Sequence, residues 1–149
     1  MDIKAELYSK CKDFIDNRIQ TIQNTINEIQ ESLLSETKSS AGDKHETGRA
    51  MLQLEREKSG QQLAQAQKVK ETLSKIDTAK TSTTICLGSI VYTTQANYYI
   101  SISAGQFKVN NDLLFAISPN TPIARILLTK KTGDEIVFRE QTIKISKVL

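Results

Sequence analysis

The sequence predicts an α+β chain in two parts. An N-terminal antiparallel helical hairpin of coiled-coil type comes first, then a C-terminal, mostly antiparallel β domain with one short helix. Three observations predict it. Apolar residues recur in steps of four and three at Ile15, Ile19, Ile22, Ile26, Ile29 and Leu33, which keeps one apolar seam along a helix facing a partner. Residues 1–80 hold no proline, and the first glycine is Gly42. From Thr81 the helical period stops and β-branched residues take over, as expected of pleated, half-buried strands.

The first helix is predicted over 4–38, with Ile3, Leu7 and Cys11 extending its apolar face backwards. The second is predicted over 46–76, on Met51, Leu54, Leu63, Ala66, Val69, Leu73 and Ile76. Its middle, 55–62, is polar and broken only by Gly60, which predicts a thinner seam near Lys58. The turn falls in Ser39-Ser40-Ala41-Gly42-Asp43. Gly42 suits the positive φ that closes a helix. Asp43 suits the N-cap of the second helix, with Glu46 three residues on as in a capping box. Those two carboxylates also stand at the tip, where a side chain adds least to hairpin packing. A cap uses only part of a carboxylate's acceptor capacity, so capping and ligand binding are compatible.

In the β domain, strands are predicted over 85–94, 98–103, 106–117, 135–138 and 142–148, with turns or bulges at Gly88, Gly105 and Asn110-Asn111. Both prolines fall in Ser118-Pro119-Asn120-Thr121-Pro122. Thr121 can cap a helix over 123–128 with Pro122 at its first position. Lys131-Thr132-Gly133-Asp134 turns into the next strand. The expected organisation is a hairpin over 1–78, a linker over 79–84 inside a polar, Thr/Ser-rich stretch, and a domain over 85–149. A domain of that size has a modest core.

Charge excludes some functions. Residues 1–80 carry 13 Lys/Arg and 13 Asp/Glu, and residues 81–149 carry 7 and 4, giving the net +3 of the 149-residue chain. That balance has no clustered basic face, so direct sequence-specific DNA binding is not expected. Cys11 and Cys86 lack any C-x-x-C spacing and read as isolated thiols. His45 is the single histidine, which leaves no ligand set for zinc. Tyr98, Tyr99 and Phe107 read as β core or rim. No phosphate-binding glycine loop or nucleophile elbow is present. The charged N-terminus lacks an apolar leader, and no run approaches a membrane span, so a cytoplasmic location is expected.

Gly42-Asp43-x-x-Glu46 at a hairpin tip, followed by a β domain, resembles the Gre transcript-cleavage factors of bacterial RNA polymerase. The stretch from Ser118 to Asp134, with Thr121-Pro122-Ile123-Ala124-Arg125 followed by Leu127, Lys130 and Gly133-Asp134, resembles the family's C-terminal signature, with Thr121 where Ser is usual. The resemblance covers nearly the whole chain in the same order. At the tip, Lys44, His45, Thr47, Gly48, Arg49 and Ala50 depart from the family pattern, while Asp43 and Glu46 match it. The resemblance implies an FKBP-like β domain and an accessory factor that is not itself an enzyme. It implies a hairpin that enters the polymerase secondary channel, where Asp43 and Glu46 help hold a Mg²⁺ shared with the polymerase and backtracked RNA is cleaved. It implies polymerase docking through Pro122, Ile123 and Arg125; the alternative is that Pro122 only starts the helix and Ile123 only fills the core. Hard carboxylate oxygens are the ligands such an ion takes. Two other readings stay open: a secondary-channel regulator without cleavage activity, with Lys44 and Arg49 diluting the tip charge, and an unrelated coiled-coil/FKBP-like interaction module. On the hairpin shaft, Lys10, Lys12 and Arg18 read as a solvated face or as contacts to polymerase or RNA.

Overall fold

Heptad spacing and the absence of breakers produce two long helices, α1 (Ile3–Lys38) and α2 (Asp43–Ser74). The computed structural model describes residues 2–38 and 43–149, with side chains described outside 36–46. The chain divides into two compact units, residues 15–70 and residues 1–14 together with 71–149.

The hairpin unit packs Ile15, Ile22, Ile26 and Ile29 from α1 with Ala66 and Ser59 from α2, all buried, while Ile19, Leu33, Leu63 and Val69 are half-buried. Two contacts fix its antiparallel register. Lys70 Nζ lies 2.7 Å from Asp16 Oδ1, and Arg49 Nη1 donates to the Leu33 carbonyl at 3.4 Å. The polar middle of α2 gives the thin seam expected there: Ser59 is buried, and the half-buried Arg56 passes close to Gly60. Met51 and Leu54, predicted for the seam, are instead 61% and 66% exposed. The half-buried residues at this end are Leu52 and Arg56. Each helical residue turns the side chain by about 100°, so a seam through Leu52 leaves Met51 and Leu54 outside.

The other unit is a six-stranded sheet: β1 (Ile90–Thr93), β2 (Asn97–Ile100), β3 (Gly105–Val109), β4 (Asp112–Ile117), β5 (Glu135–Phe138) and β6 (Gln141–Val148), in the order β3-β4-β2-β1-β6-β5. All pairings are antiparallel except β2 with β4, because β4 folds back from β3 into the position beside β2. Asn110 and Asn111 (φ 51° and 70°) make the two-residue link of that hairpin, the backbone form that matches strand twist. Helix α3 (Pro122–Leu127) buries Ile123, Ala124 and Leu127 against Val91, Ile100, Ile136, Ile143 and Ile145.

The strand predicted over 85–94 is shorter than expected. Residues 86–89 form a turn closed by Ser89 N donating to the Cys86 carbonyl at 3.0 Å. Gly88 sits there at φ +93°, with Ile76 Cγ2 3.0 Å from where a Cβ would lie. The first turn of α1 and the segment after α2 belong to this unit as well. Leu7, Cys11, Leu73 and Ile76 are buried, and Lys4 Nζ donates to the Lys80 carbonyl at 2.8 Å.

Candidate functional site

Two places were singled out by the sequence: the hairpin tip and the loop leading into α3. At the tip, residues 39–42, where most of the turn expected over 39–43 falls, and the side chains of Asp43 and Glu46 lie outside the described residues, and so do those of Lys44 and His45. What is described is the start of α2 at Asp43 and the shaft just below. There Thr47 is exposed and Arg49 is half-buried with its guanidinium on the Leu33 carbonyl. Arg49 is thus held along the hairpin shaft, one helix reaching across to the backbone of the other.

The α3 loop is built by local hydrogen bonds. Ser118 N donates to Ser103 Oγ at 3.1 Å, and Asn120 N to Ser118 Oγ at 3.2 Å. The Thr121 hydroxyl donates to the Ser118 carbonyl at 2.8 Å and accepts from Ala124 N at 3.4 Å. Thr121 therefore caps the helix, and Pro122 occupies its first turn, where a missing N–H costs nothing. The three residues expected to dock are separated by this arrangement. Pro122 and Arg125 are exposed, three apart and so on one side of the helix. Ile123 is 9% exposed and belongs to the core. A surface on α3 is presented by Pro122 and Arg125, with Ile123 anchoring the helix from beneath.

No family model and no curated protein matches the chain. Among solved structures, the crystal structure of GreA factor homolog 1 (Gfh1) of Thermus thermophilus is similar over 93% of this chain and 94% of that one. The identity is 14% and the TM-score 0.38. A second structure, described as the transcription factor Gfh1, is similar over 92% of each chain, at 15% identity and a TM-score of 0.36. Similarity at this level assigns no function by itself.

One surface feature escaped the sequence reading. Leu113 and Phe115 of β4 are 50% and 38% exposed, and Phe115 pairs with Tyr98 across the strands, ring centroids 6.2 Å apart at 36°. Alternation is the signal that separates strand faces, and Leu113-Leu114-Phe115-Ala116-Ile117 is apolar throughout. Among the described residues, no group of His, Cys, Asp and Glu could hold a metal ion, and no helix is long and apolar enough to cross a membrane.

Proposed function

We propose that this chain is a Gre-type accessory factor of bacterial RNA polymerase, entering the secondary channel with its hairpin and stimulating cleavage of backtracked RNA. The observation that carries this reading is the joint occurrence, in one chain, of two long antiparallel helices with the sequence Gly42-Asp43-x-x-Glu46 where the second begins, and a Thr121-capped helix bearing Pro122 and Arg125. In this reading the β domain is FKBP-like and docks outside the channel through Pro122 and Arg125. Asp43 and Glu46 supply two anionic oxygen donors, the chemistry Mg²⁺ requires. The ion, shared with the polymerase, would stabilise charge on the reacting phosphate. The hydrolysis belongs to the polymerase, and this chain brings the carboxylates to it.

Arg49 does not decide between stimulation and mere regulation. Its guanidinium donates to the neutral Leu33 carbonyl along the shaft and keeps its positive charge, so the cleavage assay, not this contact, separates the two roles. The test is a transcript-cleavage assay on stalled polymerase from the same cell. Shortened, extendable RNA is the expected result. Tight binding without cleavage would select the regulator, and no binding would overturn both.

A further inference from the structure

We propose that a recess beside the first turn of α1 binds a small polyanion, of the di- or triphosphate class. The recess has a volume of 280 Å³ and is lined by Lys4, Lys75, Lys80, Ser82, Cys86 and Ser89, with Asp77 the one acid among its described lining residues. All of them belong to the unit that contains the sheet.

Lys4 decides the chemistry. The residue is 5% exposed, yet it lines the recess. Its ammonium has three N–H donors. One goes to the Lys80 carbonyl at 2.8 Å, and the other two go to no described residue. No carboxylate pairs with it: Asp2 Oδ1 accepts from the Lys4 backbone N–H at 3.3 Å, at the start of α1. Asp77 Oδ1 accepts from Ala79 N at 3.0 Å; it keeps its charge on the recess wall but forms no ion pair with Lys4. A buried cation without a close ion pair is costly, and the burial pushes the Lys4 pKa down, only partly opposed by the nearby Cys86 and Asp2. An anion in the recess would offset that cost.

The remaining walls suit a charged guest. Lys75 and Lys80 are exposed, and with Lys4 they set three ammoniums against one carboxylate. The floor is rigid: Cys86 N donates to Ser89 Oγ at 3.0 Å and Gly88 N to the Ile100 carbonyl at 2.7 Å. An adjoining open recess shares Ser82 and adds Lys131 and Thr132, so cationic and hydroxyl groups continue past the first. A single carboxylate leaves most of these donors unused, whereas linked phosphates engage several at once.

Cys86 provides the readout. It is exposed on the recess wall, while Cys11, the other cysteine, is buried. Alkylation of the full chain by iodoacetamide, followed site by site by mass spectrometry, should report occupancy at Cys86. Sodium pyrophosphate and ADP are the two probes, with sodium sulfate at matched ionic strength as control. Saturable slowing of Cys86 alkylation by at least fivefold is expected. Stronger protection by pyrophosphate identifies an inorganic polyanion, and stronger protection by ADP a nucleoside-linked one. Lys4→Met keeps the buried stem and should raise the half-protecting concentration at least tenfold. The surface pair Lys75→Gln with Lys80→Gln, which leaves the core untouched, should raise it at least threefold. Protection that never saturates, that sulfate matches, or that survives in both variants would overturn the site. The assay contains no polymerase, so its outcome is independent of the function proposed above.

Discussion

Cys11 Sγ lies 3.6 Å from the Ser101 hydroxyl, with both residues fully buried where α1 meets the segment after β2. Tyr99 is also fully buried nearby, and its hydroxyl has no hydrogen-bond partner among the described residues. Burial pushes both ionisations up, that of Cys11 partly opposed by the Ser101 hydrogen bond and that of Tyr99 reinforced by Cys11 and Tyr8.

Both groups therefore hold their protons longer in the folded state than in the unfolded one. Stability from them is fully present below the ordinary thiol and phenol values, roughly 8.5 and 10. It is lost as pH rises beyond them, because there the unfolded state binds fewer protons. Urea unfolding at neutral pH and at intervals up to about one unit above the ordinary phenol value should show a falling midpoint. Tyr99→Phe should flatten the fall. At neutral pH it should raise stability by about 1 kcal/mol, since it removes an unsatisfied buried hydroxyl. A midpoint independent of pH over this range would refute the argument.

The β5–β6 link carries Arg139 and Glu140 at φ 52° and 66°, left-handed conformations on residues that disfavour them. Replacing the pair by Asn-Gly supplies the residues this turn prefers and should stabilise the chain by about 1–2 kcal/mol. The opposite change at the β3–β4 link, Asn110→Ala with Asn111→Ala, should destabilise it by a similar amount. Thermal melts of the two variants, moving in opposite directions, are the check.

Thr121→Ala removes the acceptor for Ala124 N and should cost about 1 kcal/mol, whereas Thr121→Ser should cost much less. Arg125→Ala touches no core contact and should leave the melting temperature unchanged. Polymerase binding should separate the roles: weakened by Arg125→Ala, unaffected by Thr121→Ser.

Asp43→Ala and Glu46→Ala should each abolish or strongly slow stimulated RNA cleavage while binding to polymerase persists. Loss of a cap costs only about 1 kcal/mol, so the variants should stay folded. Asp43→Ser keeps the helix-start hydrogen-bonding that the sequence predicts for Asp43 but loses the anionic ligand. Full cleavage by Asp43→Ser would reduce the tip to a capping motif.

Much of this fold was legible because its signals are local. Alternating steps of four and three over 15–33 gave α1, and Thr121-Pro122 gave the start of α3 to within a residue. The misses have physical causes. Met51 and Leu54 are apolar but lie off a seam continued by Leu52, Arg56 and Ser59, where the polar stretch had erased the period. Gly88 predicts a turn or bulge, but the predicted strand starts too early, at 85, because β-branched residues flank the turn at 86–89 on both sides. The link at Arg139-Glu140 is located, between strands predicted over 135–138 and 142–148, but its left-handed backbone is not, because these residues carry no turn chemistry and φ > 0 there is imposed by strand pairing. For the candidate site, sequence placed Pro122 and Arg125 on the surface together with Ile123. Ile123 as core was the open alternative, and the packed sheet is what shows which side of so short a helix is covered.

The sheet-bearing unit is assembled from residues 1–14 and 71–149, with the hairpin residues 15–70 between them in the chain. That has a consequence for synthesis. A ribosome releases the Leu7 and Cys11 segment before the rest of this unit, and β6, which lies between β1 and β5, after the other strands. At roughly 5–20 residues per second, those apolar side chains wait on the order of ten seconds for their neighbours. The hairpin can close during that wait. Slowing translation between α2 and β6 should thus prolong the exposure of the N-terminal segment to chaperones without affecting the hairpin.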